Sequence, residues 1–430
     1  MTIYQYPDPP TLTRLLQRPM QDATNLEAAV QEIANAVKRD GDKALKSLTT
    51  RFDGVQLDEL GVSEEALAAA QTALDPTLKA ALHTAQNNIR QFHESQKIEY
   101  TPIETMPGVF CWQKSVGIEK VGLYIPGGTA PLISTVLMLG IPAQIAGCQS
   151  IVLCTPPQKD GTIHPAILYA AQLCGIRQIF KVGGAQAIAA MAYGTESIPA
   201  VYKIYGPGNQ YVTAAKQLVS RAGIAIDMPA GPSEVLVLAD ESAQAAFVAA
   251  DLLSQAEHGP DSQVVLLTYT EETARQILVE IDRQLDQLPR ANIARQALEN
   301  SPAIIARDAQ QALAIINQYA PEHLILAIDR AQDFAQGIQN AGSVFMGHYT
   351  PESVGDYASG TNHTLPTNGF ARAYSGLNLD AFVKKITFQQ LSAEGLQNIG
   401  ATVEQLAAAE QLEAHKNAVS IRLKAISTTK

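Results

Sequence analysis

The chain predicts an α/β protein of two doubly wound, Rossmann-like parallel-sheet domains, with small helical segments at its N- and C-terminal ends. Three observations carry that expectation. From residue 121 onward, short apolar strands alternate with Gly- or Pro-rich turns and helical patterns, as βαβ units require. The alternation pauses at DMPAGPSE (227–234) and then resumes. The length of 430 residues also exceeds the roughly 250–300 at which a single core stops growing.

Residues 1–24 read as an arm. In TNLEAAVQEIANAVKRDGDKALKSLTTRF and SEEALAAAQTALDPTLKAALHTAQNNIRQFHES apolar residues recur every three or four positions, so residues 23–96 read as helical, with Ser63, Glu64 and Glu65 opening the second stretch. The first strand series is VGLY, SIVLC, QIFKV and VYKIY, leading to IPGGTAP, TPP, GGAQAIAAMA and GPGNQYVTAAKQL. The second is EVLVLAD, QVVLLT, AIIAR, HLILAI and SVFMG, separated by amphipathic helices such as ETARQILVEIDRQLDQL. Residues 347–378 lack periodicity, and so long an irregular stretch inside a compact protein is functional or disordered. Residues 379–430 read as a mostly helical tail. The expected division joins 25–120 with 235–378 in one discontinuous domain, makes 121–234 the second, and leaves the tail to be swapped in a dimer.

The charge balance excludes some partners. With 31 basic and 42 acidic side chains, net −11, and no basic stripe, the chain does not suit nucleic acid. No window reaches the ~18 apolar residues that a membrane span needs. The start, MTIYQYPDPPTLTRLL, does not read as a signal peptide. Cys111, Cys148, Cys154 and Cys174 form neither a CxxC nor a disulfide pattern, so a reducing cytoplasm is expected and the thiols read as core filling.

Two kinds of chemistry stand out. GPGN (206–209) follows a strand and opens a helix, where backbone N–H groups can face a diphosphate, although Tyr211 replaces the last glycine of GxGxxG. IPGG and VGGAQ are similar turns, and glycine also serves tight turns with no ligand. In DLLSQAEHGPDSQ, Asp251, Gln255 and His258 fall at i, i+4 and i+7, which puts Gln255 and His258 on one helical face. His323, Asp356, His363 and His415 are further ligand candidates. With no HExxH and no cysteine cluster, spacing alone leaves a metal site and ordinary surface histidines both open.

DLLSQAEHGPDSQ, GLYIPGGTAPL, VGGAQAIAAMAYGT, YGPGNQYV, IDMPAGPSEVLV, YAPEHLI, TPESVGDYASGTNHTLPT and AAAEQLEAHKNAV together resemble histidinol dehydrogenases, in order over residues 25–425. The N-terminal helices resemble the family more loosely. The resemblance implies a zinc-containing homodimer that oxidises L-histidinol to L-histidine through histidinaldehyde with NAD, closing histidine biosynthesis. It implies zinc ligands at Gln255, His258, Asp356 and His415, and an acid–base pair at Glu322 and His323. Ser233, His363 and Glu410 match substrate contacts, and Tyr124, Gln186 and Asn209 match NAD contacts. Gln255, His258, His323, Asp356 and His415 would meet the substrate as well. In the family the tail crosses to the other subunit, so Glu410 and His415 would complete the partner's site. A related zinc dehydrogenase of another small polar alcohol, and a zinc hydrolase or non-catalytic zinc scaffold, are the alternatives. Glu322 and His323 are expected on a turn at Pro321, because neighbours on a regular strand point to opposite faces.

Overall fold

The structure is a computed structural model, and it describes residues 1–19, 26–127, 131–228 and 231–428. Two parallel sheets form its frame. The smaller has the order Gln178–Phe180, Ser150–Cys154, Lys120–Tyr124, Lys203–Tyr205, Ala225–Ile226. The larger runs Thr2–Gln5, Pro302–Ile305, Gln263–Thr268, Glu234–Ala239, His323–Ala327, Ser343–Met346. Without the added N-terminal edge strand, the larger sheet repeats the strand order of the smaller one. Each starts at its central strand, builds outward on one side, then crosses to the other. That reversal creates a switch point, where doubly wound sheets open a crevice.

Alternation along the central strands explains why both sheets are covered on both faces. In Glu234–Ala239, Val235, Val237 and Ala239 pack with Val248, Leu252 and Ile277, whereas Leu236 and Leu238 pack with Ile315, Ile316 and Tyr319. A strand buried on both faces needs apolar residues at every position, and EVLVLA supplies them after Glu234.

Packing corrects the expected domain division. The helices Leu26–Asp53, Glu64–Ala73 and Pro76–Glu94 cover the smaller sheet, through Val30, Leu45 and Leu48 on one face and Leu67, Leu82 and Ile89 on the other. They therefore belong with residues 121–226, not with 235–378. Periodicity shows that a helix has an apolar face but not which sheet receives it.

The mostly helical tail also carries an element that its sequence reading did not name. Val383–Leu391 is a strand, the edge of a three-stranded antiparallel sheet with Val109–Gly117 and Ile103–Met106. VKKITFQQL, with the β-branched and aromatic residues Val383, Ile386, Thr387 and Phe388, carries that signal. The helices Ala393–Ala409 and Glu413–Thr428 follow and pack on each other, and the last buries none of its described residues. No helix is long and apolar enough to cross a membrane among the described residues.

Candidate active site

One cleft lies at the carboxyl ends of the strands of the smaller sheet. Tyr124 ends its strand and is buried; its hydroxyl oxygen accepts a hydrogen bond from the Gly184 N–H at 3.0 Å. Burial pushes the phenol up to about 12, so it stays neutral. Gly184 and the buried Gln186 open the helix Gly184–Tyr193. Asn209 caps the helix Gln210–Arg221, its oxygen accepting from the N–H groups of Tyr211 and Val212 at 3.1 and 3.2 Å. The turn before it admits only glycine: Gly206 has φ +128°, and a Cβ there would stand 2.1 Å from the Tyr124 carbonyl oxygen. Tyr124, Gln186 and Asn209 thus line one cleft of about 850 Å³.

A second cluster lies at the amino ends of the larger sheet. The helix Ala245–Ala256 runs back along the sheet and delivers the buried Gln255 beside the starts of the central strands. Gln255 Nε2 donates to Glu352 Oε1 at 2.5 Å and lies 3.0 Å from His323 Nδ1. His323 opens its strand just after the left-handed turn at Ala320 (φ 53°), with Glu322 ahead of it. The turn expected at Pro321 is thus one residue earlier. His323 Nδ1 stands 3.6 Å from Glu322 Oε2, and its Nε2 stands 3.6 Å from Asp356 Oδ1. Glu322 Oε2 accepts from the backbone N–H of Glu234 at 3.0 Å.

Electrostatics couples the cluster. Burial raises Glu322 to about 8 and Glu352 to about 7, because a lone carboxylate loses its hydration there. Burial opposes the His323 imidazolium, but the Glu352, Glu322 and Asp356 carboxylates outweigh it and hold the imidazole at about 10. Asp356 is half-buried, which opposes its charge, and its contact with His323 still brings it below its ordinary value. His258, just past the helix end, faces solvent in a single chain, yet enough protein surrounds it to depress its pKa; Asp356 acts against this. His363 Nδ1 donates to the Asp356 carbonyl at 2.9 Å, leaving Nε2 to accept from the Thr135 hydroxyl at 3.1 Å. His363 therefore ties the two sheet domains together, and burial keeps it neutral.

Three buried atoms here have no hydrogen-bond partner: Gln255 Oε1, His323 Nε2 and Glu352 Oε2. A buried polar atom left bare is costly, so this set fits a bound cation. Potential ligand atoms of His323, Glu352 and Asp356 all lie within 4.8 Å of one another. Glu352 escaped the sequence reading, although it stands four residues before Asp356 on the helix Glu352–Tyr357, a spacing that puts both carboxylates on one face. Ser233 immediately precedes Glu234 and is half-buried. Glu410 and His415 are not brought to the cluster within one chain; both are exposed on the terminal helix pair. The four cysteines are free, and burial raises the Cys148, Cys154 and Cys174 thiols away from reactivity.

The family model described as histidinol dehydrogenase matches residues 16–423. The chain belongs to the histidinol dehydrogenase family. It is 58% identical over 423 residues to a histidinol dehydrogenase of Bacteroides thetaiotaomicron, covering 98% of this chain and 99% of the relative. The Yersinia pestis histidinol dehydrogenase is 56% identical over 96% of this chain and 93% of its own length. A crystal structure of the Elizabethkingia anophelis histidinol dehydrogenase superposes with TM-score 0.97 at 54% identity, over 99% of both chains. Membership makes the protein an NAD-dependent oxidoreductase that converts L-histidinol to L-histidine in histidine biosynthesis. The hydrolase alternative and that of a different alcohol substrate fall with it.

Proposed function

We propose that the amino-edge cluster is the catalytic centre and holds zinc, and that the cleft at Tyr124, Gln186 and Asn209 holds NAD. The bare oxygen of Gln255, beside His323 and two carboxylates, is the observation that carries the first half. Gln255, His258 and Asp356, with His415 of the partner subunit, would hold the ion; mixed amide, imidazole and carboxylate donors suit it. When bound, zinc would orient the substrate's imidazole and amine nitrogens and offset the carboxylate charge that raises His323, and two NAD+ bound in succession would each accept one hydride.

The rest is done by side chains. His323 takes the hydroxyl proton of histidinol as the alcohol becomes aldehyde. Glu322, held through the Glu234 N–H, takes a proton from the water that adds to the aldehyde; His323, once it has passed its first proton to solvent, takes the hydrate's hydroxyl proton in the second oxidation. Ser233, His363 and Glu410 of the partner subunit position the substrate, the last opposite its ammonium group. On the cofactor side, the Asn209 oxygen is engaged in its helix cap, so its amide nitrogen is the group available to NAD.

The shared site requires a homodimer. Ile103, Met106, Phe110, Ile386, Phe388 and Leu391 are exposed on the antiparallel sheet, a concentration of apolar surface that a second subunit would cover. Free cysteines throughout agree with the cytoplasm as the compartment. The test is stoichiometric: NADH formed per L-histidinol, followed by absorbance before and after chelation. Two NADH per substrate, lost on chelation and restored by zinc, is the expected result. Undiminished turnover in metal-free protein would sink the zinc assignment.

A further inference from the structure

The acid–base pair is held from outside its own segment. Glu322 and His323 are both fastened to the backbone of Glu234: the Glu234 N–H donates to Glu322 Oε2 at 3.0 Å, and the Glu234 carbonyl lies 3.2 Å from His323 Nδ1. The Glu234 side chain points elsewhere, is only 1% exposed, and is gripped by Arg18. Arg18 Nε and Nη2 donate to its two carboxylate oxygens at 3.1 and 2.6 Å. Arg18 Nη2 also donates to the Tyr319 carbonyl at 2.7 Å, and the guanidinium lies 3.9 Å from the centre of the Tyr319 ring. Tyr319 ends the helix whose left-handed exit at Ala320 leads directly to Glu322. The N–H of Asn368, in the loop that follows His363, donates to Glu234 as well.

We infer that Arg18, on the N-terminal arm, is a positioning residue for the acid–base pair, locking Glu234 and the Tyr319–Ala320 exit to each other so that Glu322 and His323 meet. This rests on the assignment of that pair above. A planar fork with five donors can hold a carboxylate and a carbonyl at once, and a lysine ammonium cannot reproduce that geometry. Misplacing catalytic groups by about 1 Å costs on the order of 10²-fold in rate. Arg18 touches neither cleft, so binding of NAD and zinc should hardly depend on it.

The experiment compares Arg18→Ala, Arg18→Lys and the exposed Arg14→Ala in the zinc-loaded full-length enzyme, with histidinol and histidinaldehyde as separate substrates. Arg18→Ala should lose about 10²-fold in kcat on both substrates, with KM for NAD within about threefold and zinc content unchanged. Guanidinium ion below denaturing concentration should restore much of the rate, and ammonium should not; Arg14→Ala should match the parent. A folded Arg18→Ala with parental kcat would overturn the inference, as would a loss that tracks the unfolded fraction and ignores guanidinium. Should Arg18→Ala fail to fold, Arg18→Lys decides: a folded, zinc-replete variant with lowered kcat supports the role, and parental kcat rejects it. His323→Asn and Glu322→Gln run alongside. If both keep parental kcat, the pair itself is misassigned; if both lose it while Arg18→Ala does not, only the inference about Arg18 fails.

Discussion

Two sheets of the same strand order present their chemistry at opposite ends. The smaller sheet opens its cleft at the carboxyl ends of its strands, where Tyr124 closes one strand and Asn209 caps the helix after another. The larger sheet gathers Gln255, Glu322, His323 and Glu352 at the amino ends. The first site is made of turns, and follows from the general rule for doubly wound sheets. The second is made of side chains arriving from a returning helix, a strand start and an irregular loop. Backbone sites recur with topology, whereas side-chain sites are assembled wherever the chain can converge.

The largest effect expected is on the amino-edge site. His323→Asn should slow both oxidations by about 10²–10⁴-fold, the usual contribution of a positioned general base. Glu322→Gln should chiefly slow histidinaldehyde oxidation, because only that stage needs activated water; equal losses on both substrates would refute the division of labour. Next comes subunit sharing. His415→Ala should lose zinc on dialysis, and mixing it with His323→Asn should return about a quarter of parental activity, since half the dimers are mixed and each regains one intact site. No recovery on subunit exchange would place His415 in its own chain's site or in none.

The turn-built site should respond differently. Gly206→Ala forces a Cβ against the Tyr124 carbonyl, so KM for NAD should rise by about tenfold or more while zinc content stays constant. Loss of zinc in that variant would show that the two regions are not independent. Tyr124→Phe removes one hydrogen bond to Gly184 and should cost about 1 kcal/mol, a roughly fivefold rise in the same KM.

The smallest effect tests the link between the regions. Buried His93 donates from Nδ1 to the Ile89 carbonyl at 2.8 Å and faces Asn362, the neighbour of His363, through Nε2. Burial lowers its pKa, so below the ordinary histidine range the unfolded chain takes up the proton first, and stability falls as pH falls. The slope contributed is at most about 1.4 kcal/mol per pH unit. His93→Gln should flatten the dependence of urea midpoint on pH between neutrality and mild acid, and an unchanged slope would acquit this residue.

Legibility divided along the same line as the sites. All strands of the two parallel sheets except the edge strands Thr2–Gln5 and Ala225–Ile226, and the Gly-Pro stop after Gln255 and His258, could be read because each is encoded within a few neighbouring residues: apolar runs, φ-permissive glycines, caps. Glu352 was missed, although its spacing from Asp356 was visible, because a lone Glu in an irregular stretch has no periodic context. The strand Val383–Leu391 was lost inside a segment whose longer neighbours are helical.

What the sequence determined alone is therefore local: the strand–turn–helix succession, the glycine demanded at 206, and the residue types able to bind metal and move protons. Which sheet the helices of residues 26–94 would cover, the meeting of Glu322 with His323 beside Gln255, and the anchoring of Glu234 by Arg18 across 216 residues were decided only in three dimensions. The physical reason is that backbone conformation answers to adjacent side chains. A buried charge is tolerated only beside a partner, and partners are chosen by packing.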